Sequence, residues 1–140
     1  MPFNSVGQNS FLNALTNSIS ILSSQTIDCT ATGTSLVSKI GDTGRFIIVA
    51  FFLILDDVAG PTVSGNEPFI SLGTNNPDYN DIAADAQLSG IDSQYQVGGF
   101  NSSAFSFPPG TEIKAKVNTA AVPVNVTTYT ITIFCLGFYY

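Results

Sequence analysis

The ten residues Phe46–Leu55 (FIIVAFFLIL) contain no polar side chain, in a chain where only 10% of residues are charged. Gly44-Arg45 precedes the run and Asp56-Asp57 closes it. A helix crossing a bilayer needs roughly 20 apolar residues, so the run is too short to span a membrane. As a strand it places Phe46, Ile48, Ala50, Phe52 and Ile54 on one face and Ile47, Val49, Phe51, Leu53 and Leu55 on the other. Both faces are apolar. A strand in an isolated antiparallel sandwich shows one face to water and alternates, so the second face needs a cover. Another subunit is the expected cover. The competing reading is a central strand covered by loops of its own chain.

A chain of 140 residues is one domain's worth and buries about two-thirds of the surface its unfolded form exposes. Four basic against ten acidic residues give a net charge of -6, which argues against a nucleic-acid partner. Lys39, Arg45, Lys114 and Lys116 are too scattered to line a basic groove. Polarity comes instead from 40 Ser, Thr and Asn residues, whose side chains compete for backbone hydrogen bonds and favour strands and turns over helices. Nothing in the first ten residues, MPFNSVGQNS, reads as a signal peptide, because a basic region and an apolar core are both missing.

Residues 1–30 are expected to form an N-terminal arm, and residues 31–140 a β-sandwich domain. The arm contains no Lys or Arg, and its one acid is Asp28. Phe11, Leu12, Leu15, Ile19 and Leu22 fall at helical spacing, and Ser10 suits a cap. Asn13, Thr16, Asn17, Ser18 and Ser20 are mediocre helix formers, so the arm is read as needing a partner surface. A short helix packed on its own domain is the alternative.

From Thr34 onward the pattern is β. Strands are expected over residues 35–39, 46–55, 68–72, 85–89, 94–97, 104–107, 112–119 and 127–138. Turn chemistry separates them at Gly41-Asp42-Thr43-Gly44, Ala59-Gly60-Pro61, the stretch from Gly73 to Asp81, Gly98-Gly99 and Pro108-Pro109-Gly110. Short strands with no helix between them imply an all-β fold, an antiparallel, jelly-roll-like sandwich. In the last strand Thr128, Thr130 and Thr132 share a face with Phe134, Leu136 and Phe138, while Tyr129, Ile131, Ile133 and Cys135 line the other. Its second half is therefore apolar on both sides, like 46–55. Phe51, Leu53, Phe134, Leu136 and Phe138 are the candidate contacts of a subunit interface.

The chain has no histidine, which removes the usual general base at neutral pH and the commonest zinc ligand. Cys29 has no base beside it except Asp28, and Cys135 lies in an apolar strand, so two inert thiols are expected and no disulfide framework follows. Asp56 and Asp57, adjacent on a strand, should point to opposite faces and so make no glycosidase pair. The loop Asn75-Asn76-Pro77-Asp78-Tyr79-Asn80-Asp81, with Asp85, collects oxygens a calcium ion could use, but it lacks a bidentate Glu and reads more simply as an Asx-rich turn. Tyr79, Tyr95 and Phe100 are aromatics available for stacking on a sugar, making a host-surface glycan a possible partner. No catalytic residue, metal site or cofactor emerges.

The C-terminal third, FPPGTEIKAKVNTAAVPVNVTTYTITIFCLGFYY, resembles small β-sandwich modules on tailed-phage virions. Pro109-Gly110-Thr111 leads into an alternating strand, Thr119-Ala120-Ala121 forms a small-residue loop, and Gly137-Phe138-Tyr139 ends the final strand. The stretch ISLGTNNPDYNDI adds to the likeness. The resemblance implies a trimeric capsid cement (decoration) protein on the outer surface of a phage head, or alternatively a receptor- or glycan-binding tip of a tail fibre or tailspike. A fibre needs an attachment domain and a shaft, for which this chain has no room. On the cement reading the arm grips the major capsid protein through Phe3, Phe11, Leu12, Leu15, Ile19 and Leu22. The resemblance carries no enzyme, nucleic-acid or membrane role.

Overall fold

The structure is a computed structural model that describes residues 20–41, 46–100 and 105–139. Nine strands follow one another with no helix among the described residues: β1 (Ser20–Asp28), β2 (Gly33–Lys39), β3 (Phe46–Ala59), β4 (Phe69–Gly73), β5 (Ala83–Gln87), β6 (Val97–Gly99), β7 (Phe105–Phe107), β8 (Glu112–Thr119) and β9 (Thr128–Tyr139). Two antiparallel sheets result. One has the order β1-β9-β3-β6, with β7 also on β3; the other has the order β2-β8-β4-β5. The pairing is nested: first with last, β2 with β8, β3 with β6 and β7, β4 with β5. A chain folded back on itself in this way and rolled into two layers is a jelly roll, so the all-β sandwich expected from the strand spacing is what forms.

Between the sheets lies one core, with Tyr129, Leu53, Leu55, Ile70, Leu72, Ile113, Ile131 and Ile133 fully buried. Tyr129 is the largest of them, and its hydroxyl donates to the Ile91 carbonyl, so its one polar atom does not go unpaired.

β1 departs from the expected arm. Ser20–Asp28 pairs with β9 from Ser20↔Gly137 to Asp28↔Thr130, extending the sheet ten residues ahead of the boundary expected at residue 30. Helical spacing and strand alternation compete in such a short stretch. Here β9 offers a long apolar edge that β1 completes, and the packing decides. Ile27 turns inward at 5% exposure, and Leu22, at a bulge, packs against the core.

β3 runs four residues past the expected end because of a second bulge at Asp56. Leu55 pairs with Ile131 and faces the core, and without the extra residue Asp57 would face it too. The bulge instead pairs Asp57 with Thr130 on the outer side and keeps a carboxylate out of the interior. Asp56 accepts a hydrogen bond from the hydroxyl of Thr132, another outer-side residue, so the two acids do not point to opposite faces as plain alternation suggests. β5 and β6 are also displaced from expectation by two or three residues, β5 towards Ala83 and β6 towards Gly99.

Candidate functional site

The residues expected at a subunit interface divide between the two sides of one sheet. Phe51 and Leu53 face inward, 3% and 0% exposed, as part of the chain's own core, so neither is available to a neighbour. Phe134 and Leu136 face outward and are half-buried, and Phe138 lies where no side chain is described. Register shows what accompanies them. Ile21, Leu136 and Ala50 form one cross-strand row; Ser24, Phe134, Phe52 and Gly99 the next; Thr26, Thr132, Ile54 and Val97 the third; Asp28, Thr130 and Asp57 the last. Phe52 and Phe134 stack with ring centroids 4.8 Å apart and planes 11° from parallel. Thr26 and Thr132 share a hydroxyl hydrogen bond of 2.9 Å. Ile21 and Val97 stand 55% and 62% exposed on the outermost strands. Seven apolar side chains thus lie in the first three rows, beside Ser24, Thr26 and Thr132, while Asp28 and Asp57 lie in the fourth and Asp56 reaches Thr132 of the third.

Sequence reasoning chose Phe51 and Leu53 of this strand, whereas register puts Phe52 and Ile54 on the outer side. The signal was present in β9, where Thr130 and Thr132 mark the outer side and Phe134 follows them. β3 has no such polar marker until Asp57, so its two faces look alike until its partner strand is known.

On the other sheet the loop between β4 and β5 folds back over the strands. Asp81 ties its base, accepting from Thr74 N (2.6 Å), Thr74 Oγ1 (2.6 Å) and Asn75 N (3.3 Å). Asn75 Oδ1 accepts from Asn80 N and Asp81 N, and Asn75 Nδ2 donates to Asn80 Oδ1. Burial pushes the Asp81 carboxyl up, but the hydrogen bonds from Thr74 and Asn75 together outweigh it and leave the group below its ordinary value. These oxygens already serve the loop's own N–H and O–H groups, as the Asx-turn reading expects. Among the described residues no group of three His, Cys, Asp or Glu side chains could hold a metal ion. Tyr79 is buried at 9% exposure with the Lys114 ammonium 5.5 Å over its ring, which removes it as a sugar platform.

Between β5 and β6, the last strands of their sheets, an open groove of about 500 Å³ has Ile70, Leu88, Ile91 and Phe100 among its lining, with Asp85 and Gln87 at its polar side. Tyr95, in the turn before β6, is 74% exposed and held at φ 65° by a 2.7 Å hydrogen bond from its N–H to the Leu55 carbonyl. Buried Glu67 accepts from Gly90 N at 3.3 Å and Gln87 Nε2 at 3.5 Å and ties the turn after β5 to the segment before β4. Cys29 and Cys135 are free and buried; burial pushes each thiol up to about 12. The remaining expected arm contacts, Phe3, Phe11, Leu12, Leu15 and Ile19, lie outside the described residues.

No family model matches the chain, and no curated protein matches it in sequence. Solved structures do match in fold. A chain in the acidic stable capsid structure of Helicobacter pylori bacteriophage KHP30 superposes with a TM-score of 0.52 at 14% identity, covering 86% of this chain and 90% of that one. A chain in the capsid asymmetric unit of cyanophage Pam1 superposes with a TM-score of 0.55 at 11% identity, covering 86% and 84%. At such identity the likeness is one of fold.

Proposed function

We propose that this chain is a non-enzymatic structural protein of a phage particle, a cement protein that sits as a homotrimer on the outer surface of the head and grips the major capsid protein. The observation that carries the reading is the likeness to chains of two phage capsids over 86% of this chain and most of each of theirs. The absence of histidine fits a role in which no proton need move at neutral pH. Leu22 belongs to β1 and packs on the core, so gripping falls to the residues before Ser20, with Phe3, Phe11, Leu12, Leu15 and Ile19 as anchors. Three arms on one trimer raise the effective concentration of the second and third contacts, for a gain of roughly 10² to 10⁴ over a single arm.

The test is binding of purified protein to undecorated shells, counted as copies per particle. Intact protein should decorate in multiples of three. Deleting residues 2–19, which stops short of β1, should leave a folded sandwich that does not bind. Equal binding by the truncated protein would remove the arm as anchor.

A second reading, a glycan-binding tip module, is favoured by the groove between β5 and β6, where Phe100 offers a ring beside Asp85 and Gln87. Its measure is a glycan array: binding lost on Phe100→Ala would favour it, and an array without signal removes it.

A further inference from the structure

The net charge of -6 is not spread over the sandwich; it belongs to one end. The connections between strands define the two ends. At one, β2 leads to β3, β4 to β5 and β7 to β8; at the other, β1 leads to β2, β3 to β4, β5 to β6 and β8 to β9. β1 starts at the first end, where Ser20 pairs with Gly137 and Gly137 pairs with Ile48 near the start of β3. Residues 1–19, which contain no Asp, Glu, Lys or Arg, therefore join the sandwich at that entry end.

Charges at the entry end are matched. Asp78, Asp81 and Glu112 stand there with Lys39 and Lys114, and Lys116 reaches across to the Pro77 carbonyl. Asp42 and Arg45 fall, by sequence, in the connection from β2 to β3. Four acids thus meet four bases. Lys114 Nζ lies 3.5 Å from Glu112 Oε2 and over the Tyr79 ring, and Asp81 is held by Thr74 and Asn75. The other six acids are at the far end. Asp28 closes β1, Asp56 and Asp57 lie near the end of β3, Glu67 precedes β4, Asp92 follows β5, and Asp85 accepts from Asn118, next to last in β8. No Lys or Arg stands with them among the described residues.

Covering a surface costs least where its charges are already neutralised, and most where unpaired carboxylates lose water together. We propose that the entry end, with its 74–82 loop and 108–111 turn, is the surface that sits on the capsid shell, and that the acidic end is turned outward to solvent. The inference rests on the cement reading above and names its contact surface. Two independent features point the same way: where residues 1–19 attach, and where the charge is absent. Carboxylates on the outward end of every copy give the decorated particle a negative exterior, which keeps like particles apart.

The experiment is thiol labelling of the full chain, free and bound to undecorated shells, with a maleimide-linked polymer. Cys29 and Cys135 are buried, so a cysteine introduced at the surface is read alone. Val124→Cys, at a position 78% exposed in the β8–β9 connection, reports the acidic end; Asn76→Cys, exposed in the 74–82 loop, reports the entry end. On shells, labelling at 76 should slow at least about tenfold relative to free protein, and labelling at 124 should not change. Asp28→Asn combined with Asp57→Asn needs no introduced thiol. It should leave the copies bound per shell unchanged and make decorated particles less negative in electrophoretic mobility. Protection at 124, with or without 76, or protection at neither position overturns this orientation and leaves the cement reading standing. So does loss of binding by the double variant while its near-ultraviolet circular dichroism stays native. Wild-type protein that does not bind shells overturns both.

Discussion

The two outer faces of this sandwich meet the same demand in opposite ways. On the four-stranded sheet Lys114, Lys116 and Asn118 point outward from β8, while Ile113, Ala115 and Val117 point to the core. The loop between β4 and β5 lies over that side and is held by side chains beneath it. Lys116 Nζ donates to the Pro77 carbonyl at 3.1 Å, Lys114 sits over Tyr79, and Ser71 Oγ donates to the Asp78 carbonyl. Asn118 Nδ2 reaches both Ser71 Oγ and Asp85 Oδ1 at 2.9 Å. This face carries its own cover, fastened by polar groups. Among the described residues, the five-stranded sheet has instead a largely apolar outer side with no such strap of hydrogen bonds. A cover made by the chain itself need only be polar and local, whereas an apolar face is stable in water only when something large and dry lies against it.

The sharpest way to break this comparison is within β3 itself. Leu53→Ala should cost the subunit about 2–5 kcal/mol, as a fully buried leucine does. Phe52→Ala, one residue away on the outer side, should cost the isolated subunit clearly less, and its effect should appear in assembly. Denaturant unfolding of both variants at low concentration checks this. Equal losses would mean that the outer side is already packed within the subunit.

Next in size is the loop cover. A Cβ at Gly73 would overlap Asp81 Oδ1 and Asn80 N, so Gly73→Ala should displace the base of the loop. It should lower the melting temperature by several degrees, roughly 1–2 kcal/mol for a domain of this size. Gly99→Ala, on the five-stranded sheet, meets nothing within 4 Å and should change little. A calorimetric scan of the two variants decides it.

The charge holding that loop should also titrate. Asp81 is lowered in the folded state, so the stability it contributes is fully present above the ordinary carboxylate value and is lost as pH falls through its lowered folded value. Asp81→Asn should flatten that acid limb, measured as melting temperature against pH between about 2 and 6. An unchanged profile would assign the limb to Asp28, which is lowered by hydrogen bonds from the side chain and backbone of Thr30.

The smallest expected effect is at the thiols. With both held at about 12, Cys29 and Cys135 should not react with a thiol reagent at pH 8 until the protein unfolds, and should then both react. Fast labelling of Cys135 in the native state would show that the β1–β9 side of the five-stranded sheet opens.

Much of this architecture was legible in the residues. β8 announces itself through Ile113, Ala115 and Val117 alternating with charge, and the turns at Gly60 and Gly110 carry the positive φ that favours glycine. β1 was not legible, since SILSSQTID alternates too weakly to be told from a marginal helix without knowledge of β9 beside it. The candidate interface was half legible: the threonines of β9 identify its outer side, and nothing within 46–55 does the same for β3.

What the sequence by itself determined is local: which stretches prefer strands, where turns must fall, that the fold is all-β, and that no histidine chemistry operates. Alternation, turn residues and composition act over a few neighbours, and each is written in the chain. What only the tertiary structure decided is which side of a doubly apolar strand is inside. That depends on register between β3 and β9, eighty residues apart, and on single-residue bulges that reverse the side a residue faces.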